Sequence, residues 1–220
     1  MADLGVAVIV PMLGRPHTVD PLVSSLRSTT TTARILFVCT PGDAEVMAEI
    51  DRVGCERIEV AGPRPGDYAR KINAGYRHTT EPLIFTGACD LRFHDSWLEH
   101  ACRRLTDGIG VVGTNDLGSR RVRRGVHATH SLVTRAYADE FGTIDEPGAV
   151  LHEGYPHEYV DDELVQTAMY RKAWAFAPDS RVEHLHPAWG KAPTDPMYEQ
   201  QADRMRAGRR LFDARRRLWT

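Results

Sequence analysis

The chain has 220 residues, 42% hydrophobic and 26% charged, with 28 lysines and arginines against 30 aspartates and glutamates. That size and balance suit a single globular domain spanning 1–220 and exclude disordered, collagen-like and coiled-coil chains, while a formal charge of −2 excludes a molecule built as a whole to bind nucleic acid. The longest apolar stretch, residues 4–13, is broken by Pro11 and falls far short of the roughly 20 residues a membrane-spanning helix needs. It also lacks a basic start and a small-residue cleavage site. The expectation is a cytoplasmic protein without membrane contact, in which Cys39, Cys55, Cys89 and Cys102, with no CxxC spacing, are reduced thiols lying mostly in the core.

In chain order, residues 6–10 form a continuous β-branched apolar run, the pattern of a strand covered on both faces. A loop over 11–16 follows, then a helix with Asp20 as N-cap, Pro21 at the first helical position and Leu22, Val23 and Leu26 inward. Residues 35–38 predict a second strand, 40–43 a turn, and Val46, Met47, Ile50 and Val53 a helix face. A short strand near 58–60 precedes a proline and glycine loop at 62–66, after which Asp67 caps a helix with Ala69, Ile72 and Tyr76 inward. Residues 83–86 are another buried strand, 96–105 a helix and 109–112 a strand. The second half is less regular: strands over 127–133, 174–177 and 182–186, a helical turn over 135–140, a helix from about Asp161 with Leu164, Val165, Ala168 and Met169 inward, and a polar helix over 196–218. Strands alternating with helices predict an α/β fold with an open, mostly parallel sheet flanked by helices, which binds ligands at the carboxyl ends of its strands.

Polar clusters that follow apolar strands are therefore the candidate site. Asp90, in the segment 87–95 after the 83–86 strand, is placed to hold a divalent cation on a nucleotide diphosphate, although an aspartate in a loop is ordinarily a turn or cap residue. His184 and His186 share a face if 182–186 is a strand, so both can approach one ion. Imidazole with carboxylate admits manganese as readily as magnesium, and the absence of HExxH and of nearby cysteines disfavours zinc. Asp161, Asp162 and Glu163 open a helix about 100° apart, so one is the candidate base and the others cap or support. Lys71 and Asn73 are candidates to face phosphate or ribose, against the ordinary reading of a solvated helix face. Arg120, Arg121, Arg123 and Arg124, and a tail carrying seven arginines from Arg204 to Arg217, are candidates for a polyanionic acceptor such as DNA. No P-loop, GxGxxG or GxSxG is present, which disfavours kinases, Rossmann dehydrogenases and α/β-hydrolases.

Taken in order, the blocks at 6–15, 66–73, 88–93, 141–146, 160–164 and 182–187 resemble glycosyltransferase family 2 of the GT-A fold. More closely, with blocks at 127–130 and 183–191, the chain is similar to small glycosyltransferase-like proteins of tailed bacteriophages. The resemblance implies a nucleotide-sugar donor, with UDP-sugar foremost, over the first strands (residues 1–115), and an acceptor and catalytic half at 116–220. It implies Mn or Mg on the diphosphate, held by Asp90 as the last carboxylate of a DxD motif and by His184 or His186, with His184 preferred. Asp161 aligns best with the acceptor base, Pro11 and Arg15 border the nucleotide, and Lys71 lies beside it. Two departures stand out: Gly87-Ala88-Cys89-Asp90 lacks the first acidic residue of DxD, and Val38-Cys39-Thr40 lacks the aspartate that often reads uracil.

The expected reaction is a single displacement with inversion at the anomeric carbon, on a phage acceptor that is either a hydroxymethylpyrimidine of DNA or a virion protein. The rival readings are a nucleotide-sugar or glycan binding module without catalysis, favoured by the incomplete DxD, and a nucleotidyltransferase, disfavoured because no glycine-rich basic loop follows the first strand.

Overall fold

A computed structural model describes residues 5–62, 67–195, 198 and 201–220. Leu4, the 63–66 part of the predicted proline and glycine loop, and the tail residues 196, 197, 199 and 200 lie outside the described residues.

The 6–10 run forms β1 (Val6–Pro11), and its side chains show why an unbroken apolar sequence was needed. Val6, Val8 and Val10 enter one core cluster while Ala7 and Ile9 enter another, on the opposite face of the sheet. The first cluster is completed by α1 (Val19–Thr29), α2 (Ala44–Arg52) and α4 (Trp97–Cys102), through Leu22, Ile50 and Trp97. The second is completed by α3 (Tyr68–His78), α6 (Arg135–Glu140) and α7 (Val160–Tyr170), through Ile72, Tyr137 and Leu164. Each such side chain contributes about 1.5–3 kcal/mol by leaving water. Gly75 lets α3 lie directly on β1: a Cβ there would stand 2.5 Å from Ile9.

The other strands are β2 (Ala33–Cys39), β3 (Glu56–Glu59), β4 (Leu83–Thr86), β5 (Leu91–Phe93), β6 (Val111–Asn115), β7 (Ser131–Thr134) and β8 (Trp174–His184). They form one eight-stranded sheet in the order β3-β2-β1-β4-β7-β6-β8-β5. β1, β2, β3 and β4 are mutually parallel, as are β6 and β8, whereas β7 runs antiparallel between β4 and β6 and β5 antiparallel to β8. The α/β, mostly parallel sheet flanked by helices is the fold expected from the sequence.

Several local expectations are corrected. The first helix begins at Val19, after a 3-10 turn at Pro16–Thr18, rather than at an Asp20 cap. Pro21 is tolerated there because the first four helical N–H groups have no partner in the helix, and the Asp20 carboxylate instead receives Ser24 and Arg52. Asp67 occupies the N-cap of α3 without a capping bond, its carboxylate being taken by Arg70. Of the 127–133 run only 131–133 is strand, in β7, which extends to Thr134; the 96–105 helix is confined to Trp97–Cys102, and β5 was missed inside a segment read as loop. The predicted strands 174–177 and 182–186 are one strand, β8, which ends at His184; a register shift against β6 after Thr114 lets its second half pair with β5. The tail helix is α8 (Gln201–Arg215), followed by a 3-10 turn at Arg216–Trp219. All four cysteines are free, but only Cys39 is fully buried, and the other three are half-buried. Among the described residues no helix is long and apolar enough to cross a membrane.

Candidate active site

The carboxyl ends of β1 and β4, the ends of β7 and β8 and the start of α7 surround a cavity of about 290 Å³. Pro11, Arg15, Asp90, Asp161, His184 and His186, six of the residues singled out in the sequence, line it.

At one end stands Asp90, in the turn between β4 and β5. Its Oδ1 lies 3.3 Å from His184 Nε2, and its Oδ2 accepts from Arg15 Nη1 at 3.2 Å and from the Tyr198 hydroxyl at 2.6 Å. Burial opposes ionisation of Asp90, but the His184 imidazole, the Tyr198 hydroxyl and the Arg15 guanidinium together hold its carboxyl well below the usual range. Arg15, in a left-handed backbone conformation (φ 61°), also meets Asp195 at 2.6 Å and lies over the Tyr198 ring at 4.6 Å. The segment after β8 thus folds back across the Asp90 end. His186 lies beyond the end of β8, so the same-face argument for it and His184 does not hold. The two rings still meet, with centroids 5.2 Å apart, because the chain turns into a short 3-10 segment in which His186 Nδ1 accepts from Ala188 N–H at 3.0 Å.

The cavity floor carries His130. Its Nδ1 is 2.7 Å from the Thr86 carbonyl, the arrangement of an N–H donor, which leaves Nε2 as an acceptor; that atom is buried without a hydrogen-bond partner. Burial and the neighbouring His184 push His130 down to about 4, so it is neutral at physiological pH.

At the other end is Asp161, in the first turn of α7. His127 Nε2 stands 3.3 Å from Asp161 Oδ2, and His127 Nδ1 lies 3.8 Å from Asp162 Oδ1. Burial works against the Asp161 charge, and the His127 hydrogen bond and charge overcome it, lowering its pKa. Asp162 is raised, by burial and then by the Asp161 charge, despite an ion pair with Arg121 at 2.6 Å. Glu158, just before α7, is pushed up to about 7 by burial and the Asp161 charge, with Arg204 at 3.9 Å. The roughly 100° spacing of the three acids has the consequence foreseen for it: Asp161 lines the cavity, Asp162 pairs with Arg121, and Glu163 is buried on Tyr155 and Arg215.

Lys71 and Asn73 are placed elsewhere. Lys71 is 2% exposed and ties β1 to the end of β2, donating to the Met12 carbonyl and, at 2.6 Å, to the Thr40 hydroxyl; it lines a separate cavity of about 250 Å³ with Thr40, Asp67 and Arg70. Burial lowers its pKa to about 8. Asn73 is fully buried, and its carboxamide is used on the backbone of Val150 and Leu151 and on Glu153, away from both cavities. Sequence reasoning passed over Tyr198, His130, His127 and Glu158 as site residues. The spacing of His127 and His130 just before an apolar strand was the available signal for those two, whereas Tyr198 reaches Asp90 across 108 residues and left none.

Asp90 and His184 fit a divalent cation. Two donors at right angles on a cation with bonds of roughly 2.1–2.3 Å lie about 3.0–3.3 Å apart, and Asp90 Oδ1 and His184 Nε2 are 3.3 Å apart. His184 Nδ1 is buried without a partner, as is His130 Nε2 beside it. His186 does not complete a compact set with them: among the described residues, the groups that bring three such ligand atoms within 4.8 Å are His127 with Asp161 and Asp162, and Asp145 with His152 and Glu163. Arg215 neutralises the second of these.

An eight-stranded, mostly parallel sheet in this order flanked by helices is the GT-A fold, and comparison with solved structures bears the fold out. Glucosyl-3-phosphoglycerate synthase from Mycobacterium tuberculosis, in complex with Mn2+, UDP-glucose and phosphoglyceric acid, superposes with a TM-score of 0.63 at 12% identity, over 91% of this chain and 75% of that one. A mannosyltransferase from Pyrobaculum calidifontis, in complex with GDP-mannose and Mn2+, gives a TM-score of 0.60 at 14% identity, over 96% of this chain and 74% of that one. No protein-family model matches the chain, and no curated protein matches its sequence.

Proposed function

We propose that the protein is a glycosyltransferase that moves a sugar from a nucleotide-sugar donor, a UDP-sugar in the first instance, to an acceptor hydroxyl with inversion. The observation that carries this reading is a single cavity with Asp90 and His184, spaced to hold a cation, at one end and, at the other, the half-buried carboxylate of Asp161, whose pKa the His127 hydrogen bond and charge lower. Pro11 and Arg15 border the diphosphate in the donor half, residues 1–115, and the half from 116 onward supplies the base. Asp90 and His184 would hold Mn or Mg, which would supply positive charge to the diphosphate leaving group. Asp161 accepts the acceptor hydroxyl proton as the oxygen bonds to the anomeric carbon and the bond to the diphosphate breaks, a role worth about 10²–10⁴ in rate. Arg121 and Arg204 reach the cavity wall, where they meet Asp162 and Glu158; the arginine-rich character of the two segments that carry them supports an anionic polymer as acceptor, a hydroxymethylpyrimidine in phage DNA ahead of a virion protein.

The test is a screen of common nucleotide sugars with and without Mn2+, following melting temperature and release of nucleoside diphosphate. A cation-dependent rise in melting temperature with one donor, lost in His184→Ala, and slow release, lost in Asp161→Asn with binding retained, is the expected result. Release undiminished in Asp161→Asn moves the base to Asp162 or Glu158. Binding without release, even with DNA and virion proteins added, makes the chain a binding module.

A further inference from the structure

His127 has a place in the cavity that the proposed reaction leaves unexplained. It is 6% exposed, on the loop before β7, and its ring lies between the first two acids of α7: Nε2 at 3.3 Å from Asp161 and Nδ1 at 3.8 Å from Asp162. Nδ1 is buried and makes no hydrogen bond. A neutral imidazole with its proton on Nε2 would turn a lone pair toward the Asp162 carboxylate, whereas the imidazolium presents an N–H to each acid. Arg121, from the short helix α5 (Arg120–Arg123), closes the group on the far side of Asp162 at 2.6 Å.

We propose that His127 is the positioning residue of the Asp161 base, engaging one carboxylate oxygen so that the half-buried group is held in one orientation and stays ionised. The inference rests on Asp161 being the base. Its physical content is that a carboxylate removed from water takes up a proton near neutrality unless a cation or donor is fixed beside it. The titratable and charged groups around the pair include Asp162 on α7, Glu158 and His157 before α7, Tyr68 at the start of α3, Arg121 on α5 and His130 on the loop before β7; of these, Asp162 and Glu158 push Asp161 toward protonation where they are charged. The directions agree: His127 is raised, because its bonds to Asp161 outweigh burial, and Asp161 is lowered.

The first experiment needs no substrate. The His127 imidazole signal, assigned by its loss in His127→Phe, is followed by NMR against pH in the wild type, Asp161→Asn and Asp162→Asn. A midpoint above the ordinary 6.5 that falls by about one pH unit in Asp161→Asn, and by less in Asp162→Asn, is expected. An unchanged midpoint in Asp161→Asn overturns the proposal. The second experiment measures nucleoside diphosphate release from UDP-glucose and GDP-mannose with Mn2+. His127→Phe is expected to lower kcat about 10–100-fold with the donor KM nearly unchanged, to move the acid limb of the pH profile upward, and to be partly rescued in His127→Gln, which keeps a donor. Glu158→Gln in each background removes any contribution of that acid to the limb. A limb that stays in place in His127→Phe overturns the proposal. Turnover surviving in Asp161→Asn overturns the assignment of the base instead, and the two failures are thereby told apart.

Discussion

Replacing Asn73 by alanine tests whether this residue serves the fold or a ligand. In the structure the Asn73 Oδ1 accepts from Val150 N–H at 2.9 Å and Leu151 N–H at 3.0 Å, and Nδ2 donates to the Leu151 carbonyl at 2.7 Å and to Glu153 at 3.1 Å. Val150 and Leu151 are 2% and 3% exposed, so water does not replace the lost partners. At about 1–3 kcal/mol for each buried group left unpaired, three backbone groups sum to roughly 3–9 kcal/mol. That is a large share of the 5–15 kcal/mol typical of a whole domain. In urea, with a slope of about 1–3 kcal/mol per molar, the unfolding midpoint of Asn73→Ala should fall by ~2 M at unchanged slope. Asn73→Asp keeps both acceptor contacts but loses the donor and sets a carboxylate against Glu153, so its loss should be smaller but still more than ~1 kcal/mol. A loss below ~1 kcal/mol in Asn73→Ala would refute the reasoning, and weakened nucleotide binding at unchanged stability would return Asn73 to the donor site.

Lys71 should leave a mark on the pH dependence of stability. Its folded pKa, about 8, lies below the ordinary 10.5, so between those values the unfolded chain holds a proton that the fold has released. Stability from this group therefore rises with pH across that window, by on the order of 1–3 kcal/mol, and Lys71→Met should flatten the rise in urea midpoints between pH 7.5 and about 10; parallel curves for the two proteins would be inconsistent with this account. Arg215→Met removes the ion pair of Glu163, whose side chain is 3% exposed, and leaves it the Tyr155 hydroxyl at 2.6 Å. It should cost about 3–5 kcal/mol, and adding Glu163→Gln should recover part of it in thermal unfolding; a single variant as stable as the wild type would count against the buried pair.

The core of the fold was legible because its signal is local. A short β-branched apolar run such as Val6 to Val10 favours a strand covered on both faces, and the two core clusters take its alternate side chains as that pattern requires. Short pairings were less legible: β5 has three residues and exists because β8 is shifted in register and offers it an edge. The first helix starts ahead of its expected Asp20 cap, and Asp67 holds the N-cap position of α3 without a capping bond, because Asp20 and Asp67 found arginine partners, Arg52 and Arg70, in place of backbone N–H groups.

For the site, the sequence by itself determined which residue types stand after which strands. Asp90 after β4, His184 at the end of β8 and Asp161 at the start of α7 follow from strand ends and a helix start, which a sheet of this kind gathers on one edge. Only the tertiary structure decided which neighbouring side chain turns inward. Lys71 and Asn73 sit two residues apart on α3, yet one ties together the ends of β1 and β2 while the other is consumed by the backbone at 150–151. His127, Glu158 and Tyr198 acquired their partners through contacts that local patterning does not encode, because hydrogen bonding and desolvation at a cavity depend on what the rest of the chain brings to it.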